Sequence, residues 1–141
     1  DLADQHFGCR LRAEQLRAAD AEGDRAARLA ALDALAADAT QTQIYRDMAV
    51  LKRIGIAGAE MALADRRAAL TALVVPGRPM RTLAEEQLAY LLIEEGKVPE
   101  AIAALQALTE DQDASGALKG RVAQVITALG GKPAEAEVSG G

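Results

Sequence analysis

One short segment recurs along this chain and constrains what it can fold into. Ala-Ala-Leu-x-Ala-Leu stands at 30–35, at 68–73 and again at 103–108. Its first leucines, Leu32, Leu70 and Leu105, are therefore 38 and 35 residues apart. The outer copies share more: Glu22-Gly23-Asp24 matches Glu95-Gly96-Lys97 and Asp38 matches Asp111, all at an offset of 73. A second series lies between them, with Tyr45-Arg46-Asp47-Met48-Ala49 resembling Met80-Arg81-Thr82-Leu83-Ala84 at an offset of 35. A period near 35 with apolar residues at helical spacing holds one helix-turn-helix unit, two helices of about 12–16 residues plus their turns. Composition agrees. Of 141 residues 33 are alanine and three, Phe7, Tyr45 and Tyr90, are aromatic. Alanine is the best helix former and lets helix axes approach closely, whereas strands want the β-branched and aromatic residues that are scarce here.

The punctuation predicts seven helices. The first covers Asp1 to Ala21, with Phe7, Leu11 and Leu16 on its apolar side, and ends at Glu22-Gly23-Asp24. Arg25 to Asp38 follows, with Leu29, Leu32 and Leu35 in phase. Thr40-x-x-Gln43 reads as a capping box for a helix reaching about Ala57. Gly55 and Gly58 make the turn after it irregular, and a shorter helix runs from about Glu60 to Leu73. Val74-Val75-Pro76-Gly77-Arg78-Pro79 is the strongest break. A longer helix then runs to Glu95 and stops at Gly96; Pro99 suits the first turn of the next, which reaches about Glu110. Ser115 caps a last helix over Ala117 to Leu129, which Gly130-Gly131 ends. Lys132 to Gly141 reads as a solvated tail.

A Gly-Asp or Gly-Lys turn, small residues at helix contacts and an Asp closing the second helix resemble the tetratricopeptide repeat (TPR). The first-helix aromatics usual in that repeat are here Ala, Leu or Met, and Arg28 stands where a small residue is normal. Such degenerate, alanine-rich repeats are similar to the periplasmic TPR-like domain of a family of bacterial inner-membrane proteins related to the ancillary subunit of the Sec translocon. The stretches that carry this are Leu35-Ala36-Ala37-Asp38, Tyr45 to Lys52, Pro76 to Arg81 and Leu129-Gly130-Gly131. The expected fold is all-α: an α-solenoid of about three TPR-like units, about 1–38, 40–73 and 79–111, with a capping helix at 115–129, in one domain over 1–131 followed by a disordered tail at 132–141. The resemblance implies one membrane helix upstream of Asp1, and a chain that starts without Met is consistent with a removed leader or anchor.

The inventory for chemistry is poor. The one histidine and one cysteine, His6 and Cys9, share a helical face but fall short of the four ligands of a structural metal site. The only serines are Ser115 and Ser139, and Glu85-Glu86 and Glu94-Glu95 read as solvated helix faces rather than acid–base couples. Gly55-Ile56-Ala57-Gly58 lacks the Lys-Ser/Thr of a phosphate loop. No catalytic residue, metal ligand or cofactor is expected. A net charge of −5 with mixed signs argues against nucleic acid, and there is no run of about 18 apolar residues to span a membrane.

The expected function is therefore protein binding. The first helix of each pair would line a concave face carrying Arg10, Ala13 and Arg17, then Met48 and Leu51, then Leu83, Glu86 and Tyr90, with Gln124 on the last helix. Tyr90, a ring with a polar tip, is the best single contact on that face, or else a core residue with its hydroxyl at the rim. The resemblance places the module on the periplasmic side of the inner membrane, among export or envelope-assembly proteins or their clients. The alternatives are a cytoplasmic TPR adaptor and a self-assembling unit that forms a homodimer through its first helix.

Overall fold

The computed structural model describes residues 25–133; the expected first helix and its turn, and the tail beyond Pro133, lie outside them. Among the described residues the protein is all-α. Six α-helices follow in order: α1 (Arg25–Ala37), α2 (Gln43–Ala57), α3 (Leu63–Thr71), α4 (Arg81–Glu94), α5 (Val98–Glu110) and α6 (Gly116–Ala128). A 3-10 turn, Gly58–Glu60, separates α2 from α3. The chain divides into two compact units, residues 1–80 and 81–141.

In the first unit α1 and α2 form an antiparallel-type hairpin around Leu32, Leu35 and Ala49, with Ala36 and Ile56 packed on them. Leu32 and Ala49 are completely buried, so a full-sized leucine of one helix meets an alanine of the other. The third helix is shorter than the sequence suggests, because Gly58 takes a left-handed φ of +51° and the chain makes a 3-10 turn before α3 starts at Leu63. It touches α2 far less extensively than α1 does. The link after Thr71 stays non-helical through the Val74–Pro79 break.

The capping box at Thr40 does not form. Thr42 occupies the N-cap without a side-chain bond. Thr40 instead donates its amide and hydroxyl to Asp38 Oδ1, at 2.9 and 2.6 Å. Gln43 is turned to Asp47 Oδ1 at 2.7 Å. Asp38 outcompetes because a carboxylate two residues upstream makes a charge-assisted turn that a threonine hydroxyl cannot match.

In the second unit α5 packs against both α4 and α6. The core is built from Ala89 on α4, Leu105 and Leu108 on α5, and Leu118, Val122 and Ile126 on α6. Burying each leucine or isoleucine fully contributes about 2 kcal/mol. Both outer helix ends close alike. The Gly96 and Lys97 amides donate to Ile93 and Leu92 oxygens at 2.9 and 2.8 Å, and the Gly130 and Gly131 amides to Thr127 and Ile126 oxygens at 3.0 and 2.9 Å. Gly96 and Gly130 hold φ of +78° and +84°, as this motif requires. Ser115 Oγ accepts the Leu118 amide at 3.1 Å, the N-cap expected of it. Lys132 is not free of the fold: its carbonyl accepts from Gln106 Nε2 at 2.8 Å.

Candidate functional site

The described part of the first unit holds a groove that runs between α1 and α3 across one face of α2. Two adjoining cavities, about 240 and 400 Å³, share Ala36, Val50 and Ala69. These residues, one from each of three helices, make a shallow apolar floor. Alpha-helical spacing explains the α2 contribution: Gln43, Arg46, Asp47, Val50, Arg53 and Ile54 recur at three and four residues and fall on one face. The alanines leave room because α1 and α3 each present a methyl group beside Val50 of α2, where a larger side chain would fill the space.

The two ends of the groove differ in charge. At the smaller cavity Arg46 and Arg78 stand beside Asp47. Asp47 is 1% exposed. Arg78 donates Nε to Oδ2 at 3.0 Å and Nη2 to Oδ1 at 2.9 Å, a two-pronged pair that ties the break at 74–79 to α2. Burial raises the Asp47 pKa, but the bonds from Arg78 and Gln43 outweigh it and hold the carboxyl below its ordinary range. Arg46 donates Nε to the Ala36 carbonyl at 3.1 Å, near the end of α1, where the helix dipole favours a cation. At the larger cavity Asp33, Arg53 and Asp65 form the rim; Arg53 pairs with Asp33. Two guanidiniums face one carboxylate at the first end, and two carboxylates face one guanidinium at the second.

Helix-end clamps recur in phase with the repeat. Asp38 accepts the Thr40 amide and Asp111 the Asp113 amide, at 2.9 and 2.8 Å. Hydrogen bonds led by Thr40 lower the Asp38 pKa, and bonds led by Arg81 lower that of Asp111. Arg81, the counterpart of Arg46, grips Asp111 through Nη1 and Nη2 at 2.9 and 3.0 Å and also reaches Glu85 and Asp113. These carboxylates keep its proton held above the usual arginine range.

The expected contact residues are dispersed. Arg10, Ala13 and Arg17 lie outside the described residues. Met48 and Leu51 are half-buried on α2. Helical spacing sets Met48 roughly opposite the groove and Leu51 on its flank. Leu83 and Tyr90 pack against the core of the second unit. Glu86 is 3% exposed, and its carboxylate takes Arg121 at 2.6 and 2.9 Å and the Tyr90 hydroxyl at 2.9 Å. Burial, and then the Glu86 carboxylate, push the Tyr90 pKa up to about 12. Gln124 is exposed on α6. The structure thus brings Glu86, Tyr90 and Arg121 together, and it draws in Arg46, Asp47, Val50, Asp65 and Arg78, which the sequence reading did not single out. Their signal was present in the Arg46/Arg81 match and in the Arg78 inside the strongest break.

No group of three His, Cys, Asp or Glu side chains able to hold a metal occurs among the described residues, and none of their helices is long and apolar enough to cross a membrane. The fold and groove together define a class, an all-α protein of paired helices with a charged-rim, apolar-floor cleft. Compared with protein-family models, with curated proteins and with solved structures, the chain finds no match.

Proposed function

We propose that this protein is a non-enzymatic interaction module of TPR-like helical repeats. It would act as the periplasmic part of a membrane-anchored protein and bind components of protein export or envelope assembly, or their clients. The groove across α2 carries the binding part of this reading: its floor is apolar and accessible, and the charged groups around it are spread over the two ends of its rim rather than converging on one reacting atom. The repeat pattern and the family resemblance supply the compartment and the setting.

The test uses the full gene product in its own cell. A photo-reactive residue is placed at Ala69 in the groove, and in a second version at Met48. Discrete protein adducts at either position, on a protein degraded by protease added to spheroplasts, are the expected result. Absence of adducts at both positions would remove the binding function, and protection from the protease would remove the periplasmic assignment.

A further inference from the structure

The polarity of the groove specifies what it accepts. Its lining on α2 starts at Gln43 and Arg46 and ends at Arg53 and Ile54. Arg46 and Arg53 are seven residues apart, so the two rims are separated by about 10 Å along the helix, at about 1.5 Å per residue. The rim at Arg46 and Arg78 carries an excess guanidinium, since the one lining carboxylate, Asp47, is fully engaged by Arg78 and Gln43. Asp38, bonded to Thr40 and Gln41, keeps its charge and acts on Arg46 from outside the groove, whose lining it does not join. The opposite rim carries an excess carboxylate: Asp33 pairs with Arg53, which leaves Asp65, an exposed side chain on α3. Between the rims the lining is apolar: Ala36, Val50 and Ala69 are shared by both cavities, with Ala72 and Leu73 added on one side and Ile54 and Met61 on the other.

From this complementarity we infer that the groove binds an amphipathic helix of a partner protein, bearing on one face an acidic side chain, two aliphatic side chains and a basic side chain at i, i+3, i+4 and i+7. Such a helix laid along α2 repeats the 10 Å interval, about seven residues of rise. Its acidic residue meets Arg46 and Arg78, its aliphatic pair rests on the alanine floor, and its basic residue meets Asp65. The small cavities take side chains while the partner backbone stays above the rims, held off by Asp33 on α1 and by α3. This rests on the interaction-module reading and gives its partner a chemistry.

Labelled synthetic helical peptides of one scaffold, with Leu at i+3 and i+4, test it by fluorescence anisotropy against the full chain. They carry Glu and Lys, Glu and Glu, Lys and Lys, or Gln and Gln at i and i+7. The Glu/Lys peptide should bind at least about fivefold more tightly than the other three and weaken as salt rises from about 0.05 to 0.5 M. Asp65→Lys should invert the order in favour of the Glu/Glu peptide, with an unchanged circular dichroism spectrum because the side chain is exposed. Ala69→Leu, which fills the floor, should weaken all four peptides at least tenfold. Equal binding of the four, no binding at millimolar peptide, or an order unmoved by Asp65→Lys overturns the inference. Adducts in the cell from Met48 but none from Ala69 would also overturn it while leaving the interaction-module reading in place.

Discussion

Removing the cation from a buried carboxylate gives the most direct test of how the second unit is held. Arg121→Ala leaves Glu86, 3% exposed, with the Tyr90 hydroxyl as its remaining described partner. Stripping one member from a fully buried ion pair costs about 3–5 kcal/mol. The Arg121 side chain is 48% exposed, so water screens the pair from one side. The expected loss is about 2 kcal/mol after that discount. Urea unfolding of the full chain, followed by circular dichroism at pH 7, measures it. Glu86→Leu combined with Arg121→Ala should recover at least half of the loss, because the uncompensated charge then disappears. Tyr90 supplies an independent readout. In a Tyr45→Phe background it is the only tyrosine in a chain without tryptophan, so tyrosinate absorbance follows it alone. It should titrate near pH 12, and Glu86→Gln should lower that midpoint by roughly one pH unit, burial persisting while the carboxylate charge is gone. If Arg121→Ala costs less than about 0.5 kcal/mol, or if the two substitutions simply add, Glu86 is solvated and the reasoning fails.

Other outcomes follow from the same geometry. Asp38, Asp47 and Asp111 hold lowered pKa values, so their contribution to stability is complete above the ordinary carboxylate range near pH 4 and is lost as pH falls through the lowered values. Urea midpoints taken from pH 7 down to 2 should drop mainly below about pH 4, and Asp47→Asn should flatten that limb. Tyr90 acts at the other extreme: its raised pKa gives stability that is full below about pH 10 and lost as pH climbs towards about 12. Gly96→Ala should destabilise by about 1 kcal/mol, because φ is +78° although no atom lies within 4 Å of the added methyl. Gly55→Ala, inside α2 with equally open space and no positive φ, should stabilise by about 0.5–1 kcal/mol; thermal melts of the two variants should move in opposite directions. Ser115→Ala should cost about 1 kcal/mol in the same assay by uncovering the Leu118 amide.

The helices were legible in the sequence because their signals are local. Gly96, Gly130, Pro99 and Ser115 each act through the backbone within one turn, and each falls where its chemistry places it. The start of α2 was misread because two local signals competed there, Thr40 as a cap and Asp38 as a turn former, and only their relative strength decides. The groove was not legible. It depends on which faces of α1, α2 and α3 meet, and a regular repeat read along the chain does not report that α3 starts late, after a 3-10 turn. Glu86 shows the same limit from the other side. Its sequence setting, Glu85-Glu86, reads as a solvated face, and only the approach of Arg121 from a helix 35 residues away turns it into a buried centre.

The close of α6 has a mechanical consequence. A methyl group at Gly131 would stand 2.9 Å from Ile102 Cγ2 and 3.0 Å from Ile126 Cγ2, and the next residue's carbonyl is bonded to Gln106. The segment leaving α6 is thus held against α5 and α6 together. A pull applied beyond Pro133 would therefore load α5, through the Gln106 bond and the Ile102 contact, together with α6, through the Gly131–Ile126 bond, so that the two helices share the force.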